Sequence, residues 1–186
     1  MTLVYGTGYA STKADVKISY LVKGLPGHPL HPPLTDITIG TYTFATIASI
    51  LGITNLVQHT AAYAWWLALV VGLCSTALTA PTGLLDWLQI EWGSELWKTA
   101  TAHLTAMLCA TGAFLAAVLV GHHDYTQGTV SGGAFALTLV GFVLLTTGGW
   151  LGGAVVFVHG MRVLNLVSEP FERAAAPKPK EPAQSD

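Results

Sequence analysis

The sequence predicts an all-α fold: an antiparallel four-helix bundle that spans a membrane. Three observations carry this. Charged residues make up 10% of the 186-residue chain, against about 25% in average globular usage. Hydrophobic residues reach 52%, and mean hydropathy is +0.54. The few charges are also crowded together. Between Asp36 and Arg162 the only ones are Asp86, Glu91, Glu95, Lys98 and Asp124. A soluble bundle needs a charged face on each helix, and the stretches between these residues offer none.

The elements follow in order. Residues 1–26 read as a cytoplasmic segment; they lack the basic start and apolar stretch of a secretory signal. A proline-rich loop comes next, G-H-P-L-H-P-P at 27–33, with two histidines between its prolines. A membrane helix needs about 20 mostly apolar residues. Four segments qualify: Ile37 to Val57, Tyr63 to Leu85, Ala100 to Val120, and Gly133 to Val158. Between the second and third, Trp87, Trp92 and Trp97 predict a short surface helix, because tryptophan favours the headgroup zone. The four-crossing domain is 27–165. The tail, 166–186, is rich in Ala, Pro and Lys and is expected to be disordered.

Lys and Arg set the orientation. The N-terminal segment holds Lys13, Lys17 and Lys23, the middle connection Lys98, and the C-terminal part Arg162, Arg173, Lys178 and Lys180. The other two connections hold none. With four crossings, both termini and the middle connection share the cytoplasmic side of a cell membrane. The lipid bilayer is thus the first partner. A net charge of -2 argues against nucleic acid, which requires a basic patch. Cys74 and Cys109 form no C-x-x-C pair and read as buried, inert thiols.

This topology collects ligand-type side chains at the cytoplasmic end. His31 precedes crossing one, Asp86 ends crossing two, His103 opens crossing three, and His159 ends crossing four. The midpoint of His31 and Asp86 falls in the turn at Gln58 and His59, as equal depth in a hairpin requires. Small residues share the faces of these groups: Gly72, Ser75, Thr79 and Thr82 with Asp86; Ala106, Ala110, Ala113 and Ala117 with His103; Gly141, Gly148 and Gly152 with His159. Such faces meet other helices, so the polar groups point inward. His28 lies one step earlier, and the prolines would hold both imidazoles of the loop over the bundle end as a lid. Gly149-x-x-x-Gly153 reads as close packing, His122-His123-Asp124 as a solvated loop, and His59 as an interface residue.

Several motifs also resemble a known family. H-P-L-H-P at 28–32, T-G-L-L-D-W at 82–87, His103, and G-W-L-G-G-A-V-V-F-V-H-G at 149–160 are similar to the bacterial membrane family catalogued as domain of unknown function 2231. The resemblance covers roughly 25–165. It implies four crossings and a bacterial inner membrane. Fusions of its relatives to Rieske-type iron–sulfur domains imply redox company. It assigns no activity, and residues 1–24 lie outside it.

Two functions fit the residues. One is a haem b or transition-metal centre for electron transfer. For haem, His103 and His159 would be the axial pair, and Gly148, Gly152, Ala106 and Ala110 the slot. Arg162 would meet a propionate, and Asp86 would orient an imidazole. For a bare ion, the set is His28, His31, Asp86, His103 and His159. If the chain is an enzyme, its chemistry is redox, since no Ser-His-Asp set, phosphate loop or paired carboxylates are present. The other function is a non-catalytic anchor or assembly subunit whose polar layer is a structural clamp. A redox protein, a larger membrane complex and a second copy of the chain remain open as partners.

Overall fold

The computed structural model describes residues 24–25 and 28–163. Expectations for the first 23 residues and for the tail from 166 lie outside the described residues. Five helices follow a two-residue antiparallel pairing of β1 (Gly24–Leu25) with β2 (His28–Pro29). They are α1 (His31–Ile53), α2 (Gln58–Trp87), α3 (Glu95–Val120), α4 (His122–Thr126) and α5 (Gly132–Phe157). All but α4 are long and apolar enough to cross a membrane.

The helix starts explain two departures from the sequence reading. The prolines do not form a loop over the bundle end. Pro32 and Pro33 lie in the first turn of α1, which begins at His31. The first-turn N–H groups have no intrahelical acceptor, so proline loses nothing there. His31 is therefore a helical residue of fixed position, not part of a lid. Nor is there a surface helix between the second and third crossings. Residues 88–94 are turns, closed by Gly93 at φ +79°. Ser94 then caps α3, its Oγ accepting from the Trp97 N–H at 3.1 Å. Helix α2 ends with Leu88 as its C-cap, and the left-handed Gly93 turns the chain into the Ser94 N-cap that starts the next helix. The tryptophans that suggested a surface helix sit on the turn and the flanking helix ends, where Trp92 and Trp97 approach to 4.2 Å between centroids. At the other end, His122-His123-Asp124 is helical, as the start of α4.

The helices associate as two hairpins, α1 with α2 and α3 with α5, which then meet side by side. In the first hairpin Gly52 faces Ala61, Tyr42 faces Gly72, and His31 faces Gly83. In the second, Phe114 faces Gly141, Met107 faces Gly148, and His103 faces Gly152. Partner numbers fall on one helix as they rise on the other. Gly72 and Gly141 are notches: a Cβ on either would lie 2.5 Å and 2.8 Å from the Tyr42 and Phe114 rings. Those two rings stack on each other at 4.0 Å and join the hairpins at the centre of the core. Nearer the α4 end, buried Trp65 of α2 donates from Nε1 to Thr138 Oγ1 of α5 at 3.0 Å. Cys74 and Cys109 do not meet the expectation of burial, since both are exposed.

Candidate functional site

The polar residues singled out by the sequence converge at the end of the bundle opposite α4. His31 opens α1 and lays its ring on Gly83 of α2. Its Nδ1 is 3.0 Å from Thr82 Oγ1 and 3.3 Å from the Thr79 carbonyl. Counting donors and acceptors assigns the proton. The Thr82 hydroxyl donates to the Thr79 carbonyl at 2.6 Å, so its oxygen is left to accept. Nδ1–H of His31 is thus the donor, which leaves Nε2 outside these bonds.

His103 on α3 is held in the same way. Its Nδ1 donates to the Gly148 carbonyl of α5 at 2.7 Å, because a carbonyl can only accept. Its Nε2 is again outside that bond. His159, just beyond α5, is the reverse case. Its Nε2 is 3.0 Å from Thr99 Oγ1, whose own proton goes to the Glu95 carbonyl at 3.0 Å. Nε2–H is therefore the donor in His159.

Asp86, near the end of α2, is ion-paired with Arg162 beyond α5. This pair ties the first hairpin to the second. Arg162 reaches it from a left-handed backbone, φ +63°, two residues after Gly160 at φ +65°. A left-handed non-glycine residue is unfavourable, and here the ion pair offsets that cost.

The structure thus pairs Asp86 with Arg162 across the hairpins, and holds His31 and His103 each against the partner helix of its own hairpin. It sets His159 beside Thr99, one turn of α3 before His103. His28 is described by its backbone alone, which pairs with Leu25. The sequence reading missed the pinning partners. Thr79 and Thr82 stood out as small residues on one face, yet their hydroxyls, in register with Asp86, were the available signal. The Gly148 carbonyl and Thr99 carried no signal of their own.

Two features bear on a bound group. The space opposite Gly148 and Gly152 is filled. A Cβ on Gly148 would lie 2.6 Å from Met107 Sδ, and one on Gly152 3.0 Å from His103 Cε1. The space expected as a macrocycle slot between α3 and α5 therefore holds the side chains of Met107 and His103. Among the described residues, no group of three or more His, Cys, Asp or Glu side chains is arranged to hold a metal ion.

The model of the family described as "Predicted membrane protein (DUF2231)" matches residues 27–165. The chain belongs to this family. Its four long apolar helices fit that description, and the chain is an integral membrane protein. No curated protein and no solved structure matches it. Within this DUF2231 chain, the matched region contains all the described helices and the polar residues from His31 to Arg162.

Proposed function

We propose that this DUF2231 protein is a membrane anchor or assembly subunit, an antiparallel four-helix unit whose polar layer clamps the two hairpins at their cytoplasmic end. The observation that carries this is the Asp86–Arg162 ion pair, which links α2 to the chain beyond α5. The pinned imidazoles reinforce it, each bonded to the neighbouring helix of its own hairpin. In lipid an unpaired polar group costs several kcal/mol, so a layer in which each group has a partner is a stable way to fix helix ends. The placement in the cytoplasm rests on the Lys and Arg residues, all eight of which fall on that side of a four-crossing chain.

The test is isolation from native membranes in a mild detergent. An assembly subunit brings a larger membrane complex with it, and Asp86→Asn weakens that association. A chain that emerges alone in every detergent tried would refute this reading.

A second reading is a transition-metal centre for electron transfer. It is favoured by one observation: His31 and His103 both spend Nδ1 on a bond within the protein, which leaves Nε2 as the ligand nitrogen. Metal-bound histidines are oriented by such outer bonds. Two imidazoles would then be donors, with Asp86 committed to Arg162. Metal analysis of the purified chain decides between the readings. A stoichiometric metal lost in both His31→Ala and His103→Ala supports the centre.

A further inference from the structure

The outer side of the second hairpin carries a groove of about 630 Å³ between α3 and α5. It begins at Trp97 and Lys98, runs down α3 to Cys109, and has Leu144 and Leu151 of α5 as its other wall. From Trp97 to Cys109 the helix rises about 18 Å, at about 1.5 Å per residue. One leaflet of the hydrocarbon core is about 15 Å deep, half of about 30 Å. The groove therefore has the length of one leaflet, and its apolar floor starts at the tryptophan level that marks the headgroup zone.

Lys98 stands at its mouth, with Glu95 beside it as its ion-pair partner. Lys98 Nζ bonds Glu95 Oε1 at 2.6 Å, and the side chains are 60% and 79% exposed. An exposed pair of this type contributes little to stability, so opening it costs little. Once open, it offers an ammonium for a phosphate and a carboxylate for an amine. We infer that the α3–α5 groove is a binding site for one zwitterionic phospholipid with a primary ammonium headgroup. The acyl chain fills the groove, the phosphate meets Lys98, and the ammonium donates to Glu95. A purely anionic headgroup satisfies Lys98 and is repelled by Glu95. A quaternary ammonium meets Glu95 with no N–H to give.

The full-length chain, purified and delipidated in mild detergent, tests this. Phosphatidylethanolamine, phosphatidylglycerol and phosphatidylcholine with identical acyl chains are titrated in turn, and bound lipid is counted by native mass spectrometry. The expected result is one phosphatidylethanolamine per chain, held at least tenfold more tightly than the other two. Ala102→Leu with Thr105→Leu fills the groove at exposed positions and lowers that affinity at least tenfold with unchanged far-ultraviolet circular dichroism. Glu95→Gln with Lys98→Gln leaves the groove open and abolishes the headgroup preference. Equal affinity for the three lipids, a preference for phosphatidylglycerol, or binding that survives the filled groove would each overturn the assignment.

Discussion

The two hairpins are built to the same plan and held by different chemistry. Between α1 and α2, hydroxyls meet hydroxyls. Thr38 Oγ1 is 2.9 Å from Ser75 Oγ and 3.3 Å from Thr79 Oγ1, and Tyr42 Oη is 2.9 Å from Thr76 Oγ1. Between α3 and α5 the spanning part relies on fit: Phe114 in the Gly141 notch and Met107 against Gly148. Its side-chain bonds gather at one end, at His103 and His159. Lipid tails are as apolar as leucine, so helices in a bilayer associate through close packing or through hydrogen bonds. This chain uses close packing in both hairpins and adds hydrogen bonds along the span of the first. The difference teaches that the first hairpin carries its polar groups deep into the membrane, and the second confines them to the rim.

Substitutions can break this contrast, and the largest effects should come from the notches. Gly72→Leu and Gly141→Leu drive side chains into rings that are stacked on each other. Each should destabilise the fold by about 3 kcal/mol, the upper end for overpacking. Unfolding by sodium dodecyl sulfate in mixed micelles measures it. If Gly72→Leu is harmless, Tyr42 is not held by Thr76 and Phe114 as described.

Next comes the clamp between the hairpins. A double-mutant cycle with Asp86→Asn and Arg162→Gln should give a coupling of about 1 kcal/mol, as Arg162 is partly exposed and screened. Zero coupling would leave the hairpins joined by the Tyr42–Phe114 stack and the Trp65–Thr138 bond. Smaller still are the hydroxyl bonds. Thr38→Val should cost about 0.6 kcal/mol, the average for such bonds in a membrane. Removing the Thr82 hydroxyl takes away one acceptor of His31 Nδ1, so Thr82→Val should shift the His31 ring tautomer toward a mixture, visible by ¹⁵N nuclear magnetic resonance. The smallest effect is expected at Gly149, where an added methyl would meet nothing within 4 Å. Gly149→Ala should change stability by no more than about 1 kcal/mol, in the stabilising direction if helix propensity alone acts. A large loss there would reveal a partner seated on that face.

Much of this arrangement was legible beforehand because the bilayer simplifies the problem. Gly72, Ser75, Thr79, Thr82 and Asp86 share one helix face by spacing alone, and small residues mark helix contacts. The expected inward placement of Asp86, His103 and His159 followed from that. What spacing could not supply was rotation about side-chain bonds. Arg162 was matched to a propionate, yet it turns through a left-handed backbone to reach Asp86. His103 and His159 lie on the same seam, but the first bonds Gly148 and the second Thr99, so they do not face each other across a slot. The prolines misled because stiffness was read as a loop, when the first turn of a helix suits proline equally well.

By itself, then, the amino-acid order determined the class of fold, the number of crossings, and which face of each helix turns inward. Those properties depend on apolar length and on helical period, and both are local. Only the tertiary structure decided which nitrogen of each histidine is free, which acid meets which base, and that the glycine stripe of α5 is filled by Met107 and His103. Such pairings depend on where atoms from distant helices come to rest, and side chains settle there only after the helices have packed.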